Sequence, residues 1–452
     1  MNVLIVNGSP KGDYSVTLQT CNYLKIKFPQ VNFDVIHAGK YIRKYEKDFS
    51  EAAEKINNAD IILFAYPVYT FIAPCQLHRF IELMKESGID FSSKIATQIS
   101  TSKHFYDVTA HKYIQLNCED MGMKYIKGFS ADMDDLLHEK GQIQAVKFFE
   151  LVLWSAENNC FEAVYKKAQV KELVAATEAE NKDKTLNKEV VIVTDLCEGD
   201  TMLDSMIKRF VSVMPAKCKI VNICEYPLKG GCLGCFNCAA TGKCVYKDGF
   251  DDYLRNEIQS GDAIVYAFTI KDHSMGSRFK MYDDRQFCNG HRTVTMGMPV
   301  GYMINGNYSA EENLRMIVEG RSEVGGNFLT GVATNENDTD GQIDRLAKVL
   351  AFSLENQIVQ PANFLGVGGM KIFRDLIYQM QGLMREDHKF FKKHGQYDFP
   401  QNKRGTIMAM YLVGSLANNK KIKAKMGANM MNEGMLMPYK KVISNAEKRN
   451  NM

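Results

Sequence analysis

ADIILFA at Ala59–Ala65 returns as GDAIVYA at Gly261–Ala267, and NVLIV at Asn2–Val6 returns as EVVIV at Glu189–Val193. From Asp60 to Asp262 the offset is 202 residues, and the same offset carries Gln76-Leu77-His78 onto Arg278-Phe279-Lys280. A match that keeps one register through a strand, a loop and a helix marks a duplicated unit. In the first copy, apolar β-branched runs recur at Val3–Val6, Asn32–His37, Ile61–Ala65, Lys94–Ile99 and Lys124–Phe129. Between them Thr17–Phe28, Phe49–Asn58 and Pro74–Ser87 carry helical spacing, and Gln142–Ala156 adds one more amphipathic helix. Strands alternating with helices predict an α/β fold with a parallel, doubly wound sheet. Five strands in so short a stretch fit the flavodoxin-like order better than the longer dinucleotide-binding one.

The expected organisation is therefore two tandem flavodoxin-like doubly wound parallel sheets of five strands each, plus a mainly α-helical extension. The boundaries fall at residues 1–165, a charged linker at 166–188, a second domain at 189–358 closed by a helix over Gln342–Gln357, and the extension at 359–452. In the extension, GVGGM reads as a plain turn before a helix, because its spacing is not that of a nucleotide loop.

The chain has 452 residues, 45% of them hydrophobic and 24% charged, which excludes wholesale disorder. No apolar run approaches a membrane span, and MNVLIVNGSPKGD lacks the basic start and long apolar core of a secretory signal, so a cytoplasmic protein is expected. Net charge is +3, too balanced to argue for nucleic acid. The balance hides an asymmetry: from Pro361 onward stand 16 Lys and Arg against 6 Asp and Glu, with 11 of the 25 Met. Such a basic, Met-rich extension suits a phosphate-bearing cofactor, another subunit in a homo-oligomer or an anionic surface, with a solvated helical extension as the alternative.

The loop GSPKGDYSVT, Gly8–Thr17, joins the carboxyl end of the first strand to a helix N-terminus. Backbone N–H groups and the helix dipole favour an anion there, and Ser9, Ser15 and Thr17 add hydroxyl donors. Without a Walker lysine the loop suits one monophosphate; an ordinary N-capped turn is the alternative. The third strand ends in AYPVYTF, where Pro67 stiffens the backbone and Tyr69 and Phe71 offer flat faces. ISTSKH at Ile99–His104 brings further donors to the same sheet edge. Three such loops form a coherent site for a phosphate-tailed planar ring.

GSPKGDYSVT followed by YPVY resembles the flavodoxin-like NAD(P)H-dependent FMN reductases over roughly residues 1–156. The resemblance implies FMN in domain one. It places the phosphate on the Ser9-Pro10 loop with Ser15 and Thr17, and the ring on Pro67, Val68, Tyr69 and Thr70, with looser contact from Ser100, Thr101 and Ser102. It also implies NAD(P)H as a donor. In the third helix that family often has Lys and Asp-Arg where this chain has His78 and Glu82-Leu83.

Of the 12 Cys, four cluster in CLGCFNCAATGKC as Cys232, Cys235, Cys238 and Cys244. Zinc sites usually present two separated pairs, whereas a compact triplet plus one thiol is what a cubane iron–sulfur cluster needs. Zinc and an unmetallated redox loop stay open on spacing alone. The C-x2-C-x2-C-x5-C run after the second strand of its domain resembles the iron–sulfur flavoproteins, and that resemblance implies a 4Fe-4S cluster on these four thiols. The second domain departs at its own phosphate loop, TDLCEGDT, where Asp195, Glu198 and Asp200 oppose an anion.

The expected function is an FMN-dependent oxidoreductase passing electrons through FMN and a cluster to a small-molecule or redox-protein acceptor. The alternatives are a flavodoxin-like electron carrier with no small substrate of its own and a Cys-loop redox or zinc sensor. No side chain is required as an obligate acid or base; Tyr69 and His104 are the nearest candidates.

Overall fold

In this computed structural model the described residues are 1–164, 171–359, 361–418 and the single positions Lys440 and Lys448. Met1–Phe391 forms one compact unit and Lys392–Met452 a second. The first unit opens with β1 (Asn2–Asn7), α1 (Val16–Lys27), β2 (Asn32–Ile36), α2 (Ile42–Tyr45), α3 (Ser50–Asn58), β3 (Ile61–Pro67), α4 (Cys75–Glu86), β4 (Ile95–Ser102), α5 (Asp107–Asp120), β5 (Lys124–Tyr125), β6 (Phe129–Asp132) and α6 (Glu139–Asn158). It continues with β7 (Leu186–Thr194), α7 (Thr201–Val213), β8 (Ala216–Asn222), α8 (Asn237–Thr241), α9 (Phe250–Tyr253), β9 (Ala263–Thr269), α10 (Gly276–Arg285), β10 (Pro299–Asn305), α11 (Glu312–Gly325), β11 (Phe328–Thr334) and α12 (Thr339–Asn356). Three further helices follow: α13 (Phe364–Gln379), α14 (Arg385–Lys393) and α15 (Arg404–Asn418).

The first sheet runs β2-β1-β3-β4-β5, all parallel, and the second runs β11-β10-β9-β7-β8. Read in chain order, both follow the flavodoxin sequence 2-1-3-4-5. The expected fifth strand of the first sheet arrives in two pieces, β5 and β6, both paired to β4. The break falls at Gly128, which lies against the Gln98 backbone, where a Cβ would sit 2.8 Å from the carbonyl oxygen. The turn expected at GVGGM is instead helix: α13 runs straight through Gly366, Gly368 and Gly369. Gly366 and Gly369 let α13 lie close on α11, since a Cβ at the first would meet the Glu323 carbonyl and one at the second the Val324 side chain. Of the expected linker, residues 165–170 lie outside the described residues. Its later part is not loose: Val174 donates to the Asn335 carbonyl at 2.9 Å, and Ala176 and Ala179 pack on the second sheet.

Strands buried on both faces read as unbroken apolar runs, and β3 and β9 do so. One face of the first sheet packs on α1 and α6 around Phe149 and Val152. One face of the second packs on α7 and α12 around Phe210 and Leu346. The remaining faces close on each other: Phe64, Leu77 and Phe80 share one continuous core with Phe268, Phe279 and Tyr282. Two halves that each bury a face against the other behave as a fused dimer.

The centre of that junction is reciprocal. Asp284, near the end of α10, accepts hydrogen bonds from the Cys75 backbone N–H at 2.8 Å and the Thr70 hydroxyl at 3.2 Å, at the start of α4. Glu82 of α4 accepts from the Ser277 N–H and hydroxyl, both at 2.8 Å, at the start of α10. Glu82 and Asp284 stand 202 residues apart, as do Cys75 and Ser277. Each helix therefore supplies a carboxylate to the unsatisfied N–H groups and positive dipole end of the other. The turn before each helix is also duplicated. Thr70 and Phe71 adopt φ of 46° and 72°, and Asp272 and His273 adopt 53° and 63°, a left-handed backbone that only a fixed surrounding sustains in non-glycine residues.

The two halves then differ. Lys280, fully buried, bonds Asp283 at 3.2 Å, Asp284 at close range and the Tyr69 carbonyl at 3.0 Å. Burial opposes its charge, but the two carboxylates outweigh burial and its pKa goes up. At the equivalent place His78 stacks on Tyr113 with centroids 4.1 Å apart, and burial beside Lys280 holds it neutral, well below the usual range. Asp284→Ala would leave buried Lys280 with one carboxylate, Asp283, and would uncap α4, and should cost about 3–5 kcal/mol in chemical denaturation, whereas Asp284→Asn, which keeps an acceptor for the Cys75 N–H, should cost less. Equal losses for the two variants would contradict the pairing.

His273 ties the second turn to the first half, with its ring nitrogens 2.8 Å from Asp120 and 3.0 Å from Glu311. Burial works against its charge, yet the two carboxylates raise its pKa to about 9. A pKa raised on folding gives stability that is complete below an unfolded value of about 6.5 and is lost as pH rises through about 9. Unfolding free energy should fall across that window, and His273→Gln should flatten the slope there; an unchanged slope would contradict the clamp.

Candidate functional site

The β1–α1 loop is built by its own backbone needs. Asn7 receives the Ser9 N–H at 3.2 Å and donates to the Gly12 carbonyl at 2.9 Å, and Ser15 caps α1 by accepting from the Leu18 N–H at 3.3 Å. Gly12 takes φ +57°, which closes the turn. These constraints bring Ser9, Ser15 and Thr17 to the rim of a cavity of about 210 Å³. Pro67, Val68, Tyr69 and Thr70, together with Thr101 and Ser102 from β4, line the same cavity.

The hydroxyls of Thr17, Thr101 and Ser102 are buried and have no hydrogen-bond partner among the described residues. Buried polar groups are normally paired, so three orphans around one cavity fit a hydrogen-bonding ligand with a phosphate and a polar ring edge. Ser100 does not line the cavity; its hydroxyl bonds His111 Nε2 at 2.8 Å. Pro10 also lies off the lining, in the loop behind it. His104 is turned away, exposed and paired to Asp107 at 2.9 Å.

The opposite wall comes from the second half. Cys232, Cys235, Cys238 and Cys244 all line this cavity. Three are half-buried and Cys235 is exposed. Burial pushes the Cys238 thiol up to about 11, and the Cys232 thiol further. The thiol loop lies against the first half along its length. Gln76 donates to the Cys232 carbonyl at 3.4 Å, Gly231 sits tight on Cys75, and Gly234 sits tight on the Tyr69 hydroxyl. Arg285 fastens the loop's base: it bonds Asp248 at 2.8 and 2.9 Å and the Gly230 carbonyl at 2.9 Å, under the Tyr246 ring. Among the described residues no three carboxylate, imidazole or thiol groups converge at the spacing of a single metal ion.

Phe236, Phe287, His291 and Phe373 complete the wall, and none was a sequence candidate. One signal pointed there: Asp284-Arg285 and Lys280 restore, 202 residues on, the Lys and Asp-Arg pattern missing at His78 and Glu82-Leu83.

The corresponding edge of the second sheet carries its own anion. Asp200 caps α7 by accepting from the Leu203 N–H at 3.3 Å, and its carboxylate also takes the Thr269 hydroxyl at 2.5 Å and the Asn305 amide at 3.2 Å. A carboxylate already fills the helix N-terminus where a phosphate would bind. Burial raises the neighbouring Asp195 to about 7.

Residues 1–133 match the family model of the NADPH-dependent FMN reductases. An iron–sulfur flavoprotein from Archaeoglobus fulgidus is 27% identical over 173 residues, covering 36% of this chain and 78% of that protein. Among solved structures, an NADH:FMN oxidoreductase in its apo form aligns at 19% identity over 34% of this chain and 89% of its own, with a TM-score of 0.30. An NAD(P)H:quinone oxidoreductase from Methanothermobacter marburgensis aligns at 14% identity over 37% and 99%, with a TM-score of 0.28. No helix among the described residues is long and apolar enough to cross a membrane.

Gly234 has φ +60°, and a Cβ there would strike the Tyr69 ring end. Gly234→Ala should therefore cost about 1–3 kcal/mol and displace the thiol loop. A loss recovered in part by Tyr69→Phe supports the contact; no change in melting temperature would contradict it.

Proposed function

We propose that this chain is an FMN-dependent oxidoreductase in which one flavin site and one four-thiolate cluster site share a cavity. The carrying observation is that shared lining: the hydroxyl loops and Tyr69 of the first half face the four cysteines of the second across about 210 Å³. The match of residues 1–133 to the FMN reductases supports flavin in the first half. The likeness to an iron–sulfur flavoprotein supports a cluster in the chain. A zinc ion draws four sulfurs to one point, whereas a four-iron cluster holds each at a separate corner.

When bound, FMN accepts electrons in pairs and gives them up singly, and a 4Fe-4S cluster carries one at a time. The chain's own part is placement. Ser9, Ser15 and Thr17 hold the phosphate end, and Thr101 and Ser102 offer donors to the ring edge. Tyr69, whose hydroxyl end lies against Gly234 of the thiol loop, would keep water from between the residues that hold the two groups. Arg285 and the Lys280–Asp284 pair keep both walls at a fixed separation. NAD(P)H is the proposed donor, and a small molecule or a redox protein the acceptor.

Anaerobic purification followed by flavin, iron and sulfide assay tests this reading. The expected content is one FMN and four iron atoms per chain, on the stoichiometry of a single cubane. Cys235→Ser should lose iron and keep FMN. Thr17→Val should keep iron and weaken FMN about 10- to 100-fold, the scale of a hydrogen bond to a charged group. Two FMN per chain would contradict the divided halves, and colourless protein would contradict the reading as a whole. Reduction by ferredoxin without NAD(P)H oxidation would make the chain an electron carrier.

A further inference from the structure

The second sheet changes strand direction of growth between β7 and β9, and open α/β sheets present ligands at the carboxyl edge of that point. There the first half offers hydroxyls. The second half offers two thiols. Cys197 follows β7 and Cys224 follows β8, both exposed and both outside the four-cysteine loop. Thr194 and Asn222 are register partners in these adjacent strands, and Ile223 N–H still bonds the Thr194 carbonyl at 2.8 Å, so the two chains leave the sheet about 4.8 Å apart. Arg278, the counterpart of Gln76, reaches both sulfurs with one nitrogen: 2.9 Å to Cys197 and 3.2 Å to Cys224. Each thiol also donates to the same acceptor, the Asp195 carbonyl, at 3.4 Å.

Two sulfurs at 2.9 and 3.2 Å from one nitrogen are neighbours across the two loops. The Arg278 guanidinium lies within hydrogen-bond reach of both sulfurs, where it can pair with the thiolate that attacks in disulfide exchange. We propose that Cys197, Cys224 and Arg278 form a dithiol site that reduces small-molecule disulfides at this edge. Cys197, the sulfur nearer the guanidinium, attacks one sulfur of the substrate and expels the other half as a thiolate. Cys224 then attacks Cys197 Sγ and expels the second half. One disulfide bond is broken and one formed; two chain thiols are oxidised, two substrate thiols are released, and the two protons leave with them. The exchange needs neither flavin nor cluster, so it stands apart from the function proposed above.

The test treats the anaerobically purified full-length chain with oxidised glutathione, blocks remaining thiols with iodoacetamide and maps the peptides by mass spectrometry. The expected product is a Cys197–Cys224 linked peptide, whereas exposed Cys160 takes up at most a single glutathione. In Cys224→Ser the glutathione should remain on Cys197 as a stable mixed disulfide. Arg278→Gln should slow the first step about tenfold. Full alkylation of both cysteines after treatment, or links formed only with other cysteines, would overturn the proposal. An unchanged rate in Arg278→Gln would overturn the part given to the guanidinium.

Discussion

Two helices cap each other: the Glu82 carboxylate meets the start of α10, and the Asp284 carboxylate meets the start of α4. Everything at the site depends on this exchange. A helix end buried without a partner is costly, so neither α4 nor α10 can enter the shared core alone. Each brings the acceptor that the other lacks. The exchange fixes the distance between the β3–α4 turn, which carries Tyr69 and Thr70, and the α10 end, which carries Arg285. Arg285 in turn holds the base of the thiol loop. The cavity wall from one half is thereby registered against the wall from the other without any contact from the ligands themselves.

A symmetric junction does not require symmetric halves, and the departures have a common direction. In the first half the left-handed turn at Thr70-Phe71 is spent on the cavity. In the second, the matching turn at Asp272-His273 is spent on clamping Lys85 and Asp120 of the first half. Among the described residues the first half leaves the Thr17, Thr101 and Ser102 hydroxyls without partners, whereas the second fills the equivalent helix start with Asp200. Polar groups left open on one side and closed on the other support the proposed flavin site in the first half.

The architecture was legible where its causes are local. Strand runs buried on both faces and the cysteine spacing are each visible within a few residues of sequence, and the constant offset of 202 residues is visible by comparing two short stretches. So were most of the cradle residues, because a βα loop of a parallel sheet has one place to be. What depended on the meeting of the halves was hidden. The stretch KMYDDR at Lys280–Arg285 looks like a solvated helix face, yet Lys280, Asp283, Asp284 and Arg285 are all buried. Their burial follows from an interface no single element announces. The helix α5 was missed because Thr109, Asn117 and His111 break its apolar spacing, and their side chains turn out to serve the Phe71 carbonyl of the first turn, the Asp272 carbonyl of the second turn and Ser100 of β4. The glycines of α13 looked like a turn for want of a partner; with α11 beside them they are a close helix contact.

The central claim is that the flavin and the thiolate cluster occupy opposite walls of one cavity formed by both halves. A crystal structure of the anaerobically prepared, coloured full-length chain, with diffraction data at the iron absorption edge, tests it most directly. The account predicts one FMN with its phosphate on Ser9 and Thr17, and one iron peak among Cys232, Cys235, Cys238 and Cys244 across the gap beside Tyr69. Flavin density at the Asp200 edge of the second sheet, or iron bound away from those four sulfurs, would contradict it.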